Sequence, residues 1–284
     1  GVPVVNIETA NTKGLSHNRY TRYDVEANGL VLNNGNNSQI TRQSQLAGQV
    51  TSNLNLVKEA TLILNEVVSV NRSTLAGYTE VLGGKADVIV ANPYGITCDG
   101  CGFINTDRAT LTTGTSTIGA NGSLTGFTVN SGDVLIGPQG IDATAQQVLD
   151  MVTRSVKIEG NINTSLTGNL GITTGNNSWN YDSRNTTGTV AGNGAATSYA
   201  IDSSALGGMY AGRIRIIGTE AGVGVRMLGD AAASVDDFTI SSAGKVQIQS
   251  AISATRDLAI VSTSPTGNSD VFVNGLDTQL SAGQ

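Results

Sequence analysis

ADVIVANPYGITCDGCGFINTDRATLTTG, residues 86–114, sets three short β segments and two tight turns side by side. Val88-Ile89-Val90 has the length and β-branched composition of a strand. Asn92-Pro93-Tyr94-Gly95 then has the composition of a turn: Asn leads, Pro fixes φ at the second position, and Gly tolerates the exit geometry. Cys98 and Cys101 bracket a second turn-forming pair, Asp99-Gly100. Phe103-Ile104 and Thr110 to Thr113 supply further β-like pieces. The unit therefore reads as strand, turn, strand, paired cysteines and strand.

Working outward, the same economy holds along all 284 residues. Charged residues make up 13% and aromatics 4%, while Gly contributes 36 positions. Disordered chains combine high charge with few branched apolar residues, so this mixture points instead to many short strands joined by polar turns. A net charge of −6 gives no general attraction to nucleic acid phosphates or anionic lipid, so no nucleic acid partner is expected. No apolar run reaches bilayer-spanning length. The chain opens at Gly1 without a signal-type segment and stops at Gln284 without a polar tail, which reads as a piece of something longer.

Before residue 86, Val2, Val4-Val5 and Ile7 form a first strand candidate. Asn28-Gly29, between Val25 and Leu30-Val31-Leu32, is a hairpin signal. Residues 40–50 are ambiguous between loop and short helix. Leu62-Ile63-Leu64-Asn65-Glu66-Val67-Val68 reads as buried strand, and Leu75 to Leu82 repeats the theme. The hairpin character of residues 1–85 makes them the natural N-terminal cap.

After residue 114 an internal repeat emerges. In residues 156–172 the apolar positions are Val156, Ile158, Ile162, Leu166, Leu170 and Ile172; in residues 246–260 they are Val246, Ile248, Ile252, Leu258 and Ile260. Both blocks begin with a step of two, then four, and end with a step of two. Each makes three short inward-pointing strands, about one turn of a β-solenoid. Residues 214–216, 223–225 and 238–240 fit similar coils. Residues 146–156 carry valines every four residues but have β neighbours, so a strand is preferred there to a helix. Residues 175–200, polar and small, read as a loop excursion. The chain is thus a single all-β domain, with coils over 86–284. Stacked parallel coils need few charges and leave unpaired strand edges only at their ends.

The chemistry is sparse. Zinc wants four ligands, and the chain has two Cys and one His, His17. A redox pair wants its first Cys at a helix N-terminus. A local disulfide in an exported protein is favoured, with reduced buried thiols as the alternative. No G-x-S-x-G accompanies His17, Gly83-Gly84-Lys85 lacks the first phosphate-loop glycine, and Gly207 to Gly212 lacks the second dinucleotide glycine. Asp236-Asp237 is the single adjacent acidic pair. No catalysis, cofactor or metal is expected.

Five stretches carry a resemblance: GVPVVNI, SHNRY, LILNEVVSVNRSTLAGYTEV, VIVANPYGITCDGCGFINTDRATLTTG and ALGGMYAGRIRIIGTEAGVGV. Together they resemble the N-terminal domain of two-partner secretion exoproteins, the filamentous-haemagglutinin-like proteins of Gram-negative bacteria. Tyr94, where the family usually has Asn, and the two cysteines are most similar to the contact-dependent growth inhibition branch. The resemblance implies a right-handed parallel β-helix with a β-rich cap and extra-helical strands. It implies recognition by POTRA domains of an Omp85-type outer-membrane transporter, and export to the cell surface through the periplasm. Its secretion motif maps onto Asn92, Pro93, Tyr94, Gly95 and Ile96, with Asn65, Glu66, Asn71 and Arg72 as further matches. The family's second motif, Asn-Pro-x-Leu, has no counterpart here. The chain is expected to be a monomeric targeting and folding-nucleation module, with any target-cell receptor engaged by the full-length protein. An adhesin using the 175–200 loop and a pore-forming haemolysin activated through its Cys pair are the rival parents.

Overall fold

The computed structural model describes residues 1–283 except 266 and 268. Three parallel sheets run along one axis, one of nine strands, one of eight and one of ten. Successive strands visit them in rotation. Asp87–Ala91 lies in the nine-strand face, Ile96–Cys98 in the eight-strand face and Cys101–Ile104 in the ten-strand face, before Arg108–Thr112 returns to the first. This is the expected parallel β-helix.

Register explains the composition. Ile63, Val88, Ala109, Leu149, Leu170, Ile214, Phe238 and Leu258 form one inward ladder, each paired with the next. Seven of the eight are fully buried in one continuous core. Each buried branched side chain contributes about 1.5–3 kcal/mol of transfer free energy, so the stack needs no charge to hold it. The repeat blocks resolve as read, into Ser155–Ile158, Ile162–Thr164 and Asn169–Thr174, and into Val246–Ile248, Ala251–Ala254 and Leu258–Ser262. One assignment fails: Leu166 is two-thirds exposed, because it lies in the corner between two faces.

Residues 146–156 form strand, as preferred. Other local readings change. Asn28-Gly29 does not make a hairpin: Leu30–Asn34 pairs in parallel with Val4–Asn6 and with Tyr78–Gly83. Gly29 has φ +90°, and a Cβ there would meet the Tyr78 carbonyl oxygen at 2.8 Å. Asn-Gly therefore signalled a positive-φ corner, which coils need as much as hairpins do. Coil pairing reaches back to Val4–Asn6, so the hairpin character expected of residues 1–85 is confined to Thr41–Ser44 and Gly48–Thr51. That hairpin replaces the loop or helix considered for residues 40–50.

The expected loop at 175–200 contains two strands. Asn177–Asn180 and Asn185–Thr189 join Thr115–Ile118 and Leu124–Val129 in a four-strand antiparallel sheet outside the helix. Both excursions leave the coil at the same corner, after a nine-strand-face strand, so they meet although far apart in sequence. They cover a second apolar cluster on that face's outer side, containing Leu64, Ile89, Val152, Phe127 and Trp179. This is why Leu62-Ile63-Leu64 and Val88-Ile89-Val90 are unbroken apolar runs: both sides of those strands are buried.

Candidate functional site

Asn92 ends the strand Asp87–Ala91 at the corner between two faces, and it has no solvent exposure. Its Nδ2 donates to the Asn71 carbonyl at 2.8 Å and to Ser73 Oγ at 3.0 Å, both in the preceding coil. Its Oδ1 accepts from the Tyr94 amide at 3.0 Å, and its carbonyl accepts from Gly95 N at 3.0 Å. Its own amide donates to the Thr112 carbonyl in the next coil. One side chain thus closes its own turn and ties one coil to another. Burying an amide is tolerable only with its donors and acceptors satisfied, and here they are.

Gly95 follows with φ +107°, and a Cβ on it would lie 2.1 Å from Arg72 Nη1. The glycine is required twice, for backbone angle and for the guanidinium packed against it. Arg72 donates to Thr97 Oγ1 at 2.8 Å and to the Ile96 carbonyl at 3.0 Å. It also grips Asp133 through two bonds of 2.8 Å. Asn71 Nδ2 reaches the Thr21 carbonyl at 2.9 Å in the first coil. Five residues, Asn71, Arg72, Asn92, Gly95 and Ile96, are therefore one bonded corner. Pro93 is half-buried, and Tyr94 at 53% exposure is the motif's displayed side chain, with Val70 exposed one residue before Asn71.

The structure does not bring Asn65 and Glu66 into this corner. Asn65 points inward, fully buried, accepting from Tyr20 Oη at 3.2 Å and donating to the Ile89 carbonyl at 3.3 Å. Burial, then the nearby Glu8 carboxylate, pushes the Tyr20 phenol up to about 12, so it remains a donor. Glu66 points outward beneath the antiparallel sheet, 2.7 Å from His17 Nε2, and accepts from Ser116 Oγ at 2.8 Å. Glu66 therefore bridges the coil face to the excursion, with the single histidine on its other oxygen. Asp133, Ser73 and Ser116 were missed by sequence reasoning, because only the coil register brings them to their partners.

Cys98 and Cys101 are disulfide-bonded, with Cα atoms 5.4 Å apart, and close the next corner of the same coil. Both are buried in the main core. So short a loop gives roughly 2 kcal/mol in the chain-entropy model, enough to fix a corner. Among the described residues no group of three or more His, Cys, Asp or Glu is placed to hold a metal, and no helix is long and apolar enough to cross a membrane.

These features define a β-helical domain with a knitted leading corner. The solved filamentous hemagglutinin secretion domain is similar to it, with TM-score 0.89 and 34% identity, covering 99% of this chain and 92% of that one. A family profile described as TPS secretion domain matches residues 1–248, and the chain belongs to that family. Toxin CdiA of Yersinia pestis is 44% identical over 273 residues, which is 96% of this chain and 8% of that protein. A tRNA nuclease CdiA of Escherichia coli (strain STEC_O31) is 45% identical over 254 residues, or 89% of this chain and 8% of that protein. The chain thus spans 8% of the length of these relatives, and the matched part is a secretion domain and not a nuclease. It is a secretion and targeting module of a CdiA-like exoprotein, exported through the periplasm and outer membrane to the cell surface. Its family works with an outer-membrane transporter of the Omp85 type.

Proposed function

We propose that this module is read by the transporter's POTRA domains before it folds, through residues 92–96 with Asn71 and Arg72. The observation that carries the reading is that Asn92 is wholly buried with every polar group engaged inside the domain. Such a side chain has nothing to offer a partner once the coil has closed. In the unfolded chain, the β-branched segment before it can add as a strand to a POTRA sheet edge. Outside the cell, Asn92 closes on Asn71 and Ser73, which withdraws the segment and gives the next coil an edge to pair with. Export then proceeds in one direction without a nucleotide. Asn65 and Glu66, buried on opposite sides of the neighbouring strand, serve the folded product. The domain acts as a monomer, with a parent that delivers a toxin by contact-dependent growth inhibition and finds its target-cell receptor through other regions. The identity to the CdiA relatives, above that to the haemagglutinin domain, favours this parent over an adhesin or haemolysin.

The test compares POTRA binding by a peptide of residues 86–100, its Asn92→Ala version and the folded domain. The wild-type peptide is expected to bind, the Asn92→Ala peptide to bind less tightly, and the folded domain least. A folded, oxidised domain that binds as tightly as the peptide would sink the reading. So would undiminished export of the Asn92→Ala exoprotein.

A further inference from the structure

The outer side of the nine-strand face carries a second feature, far from the Asn92 corner. Arg213 and Arg215 point outward from the strand Arg213–Gly218, whose inward residues are Ile214 and Ile216. In register beside them lie Asn169 and Gly171. Gly171 has no side chain to fill the space: a Cβ there would meet Asp150 Oδ1 at 2.4 Å and Arg184 Nη2 at 3.0 Å. The excursion supplies the opposite wall, Ser183 and Arg184. A cleft of about 250 Å³ results, lined by Asn169, Ser183, Arg184, Arg213 and Arg215.

Charge in this cleft does not balance. Asp150, almost fully buried, is the facing carboxylate, and it is already shared: Arg184 binds it through Nε and Nη2 at 2.9 and 2.8 Å, and Arg108 approaches to 3.5 Å. Among the described residues, Arg213 and Arg215 have no ion pair. Arg215 makes one long bond, to the Arg184 carbonyl at 3.4 Å. Asp237, beside the neighbouring strand, accepts from the Asp257 amide instead. Burial, then the charges of Arg184 and Arg213, holds the Arg215 guanidinium below its usual range. Cations crowd together in a molecule of net charge −6, where screening by neighbouring carboxylates is the usual arrangement.

We propose that this cleft binds a tetrahedral oxyanion ester, phosphate or sulfate, carried on a carbohydrate. Arginine forks match such oxyanions geometrically and complete their unused donors on them. Asn169 and Ser183 offer neutral donors and acceptors of the kind that sugar hydroxyls pair with. The volume is below that of a drug-sized pocket and suits a single sugar unit. A bilayer surface is disfavoured, because the cleft is walled by the excursion and the net charge repels anionic lipid.

The experiment titrates the folded domain with glucose 6-phosphate, glucose 6-sulfate, glucose and inorganic phosphate, following the arginine Nε–H signals by NMR. Both esters are expected to saturate the signals of Arg184, Arg213 and Arg215 at low millimolar concentration, and glucose to leave them unmoved. Arg213→Gln with Arg215→Gln should weaken ester binding by about tenfold or more, as expected for lost charge-assisted bonds. Arg213 is exposed and Arg215 half-buried, and an unchanged melting temperature confirms that the double variant is folded. Equal binding by that folded variant overturns the site. Inorganic phosphate binding as tightly as the esters overturns the carbohydrate assignment, as does binding to phosphatidylglycerol vesicles that the esters fail to displace.

Discussion

The nine-strand face has the same inward ladder from end to end but two different outer sides. Read along one outer register, its residues are Leu64, Ile89, Thr110, Asp150, Gly171, Arg215, Thr239 and Ala259. The early coils, under the antiparallel sheet, turn Leu64 and Ile89 outward into a closed apolar cluster. In this register the last coils turn the small or polar residues Thr239 and Ala259 outward. Between them, at the edge of the cover, stands the charged group of Asp150 and its arginines. The same backbone thus accepts an apolar, a charged or a polar outer side. What decides is whether an excursion lies over that stretch of the face. Covered coils gain a second core and carry the secretion corner, whereas bare coils rely on their neighbours alone.

The sharpest way to break this comparison is Trp179→Ala. Trp179 is 2% exposed and packs against Phe127 and Tyr181. Its removal should cost about 4 kcal/mol, typical of a large aromatic lost from a core. Hydrogen exchange should show the loss concentrated in residues 115–129 and 177–189, with residues 213–262 still protected. Phe238→Ala, in the shared inward ladder, should instead reduce protection along the late coils. Equal loss in both halves after Trp179→Ala would mean that the two cores unfold as one unit.

Asp150→Asn tests the boundary. It leaves the guanidiniums of Arg108 and Arg184, 15% and 26% exposed, without their common partner. Stability should fall by about 3 kcal/mol, the lower range for breaking a buried pair. The urea midpoint reads it, and adding Arg184→Met should recover part of the loss.

A smaller effect comes from alkali. Burial raises Tyr23 and Tyr181; for Tyr181, Arg108 opposes the rise while Asp87, Asp150 and Asp182 add to it. Tyr20 is raised to about 12. All three phenols are held protonated by folding. Their contribution is complete below the unfolded value near ~10 and is lost as pH rises through the folded values. Residues 213–262 contain no tyrosine. The covered half should therefore loosen first, with tyrosinate absorbance and loss of Trp179 fluorescence rising together above about pH 11.

Much of this was legible in the residues, and the reason is periodic. Val156 and Ile158, then Ile162, then Leu170 and Ile172 repeat because each coil has three faces of two or three inward positions. The Asn92 turn was legible because Pro and Gly restrict the backbone locally. The second excursion's part in the antiparallel cover was not, since Asn185 to Thr189 has no apolar alternation: of residues 175–200 only Trp179 and Tyr181 reach the second core. Leu166 misled because hydrophobicity does not distinguish a corner from a face. Asp133, 61 residues from Arg72, is placed by coil register across an excursion that sequence spacing cannot measure.

That last pair gives the finest test of whether the covered half owes its stability to its second core or to its corner. Arg72 and Asp133 are 34% and 50% exposed, so solvent screens them despite their two-pronged geometry. Asp133→Asn should cost less than about 1 kcal/mol, and the difference from wild type should vanish in molar salt. Arg72→Met should cost more, because the guanidinium also satisfies the Ile96 carbonyl and packs against Gly95. A deficit for Arg72→Met that persists at high salt would assign the corner's stability to those salt-independent contacts. A Asp133→Asn loss as large as that of Trp179→Ala would reverse the ranking and make the corner, not the second core, what holds the leading coils together.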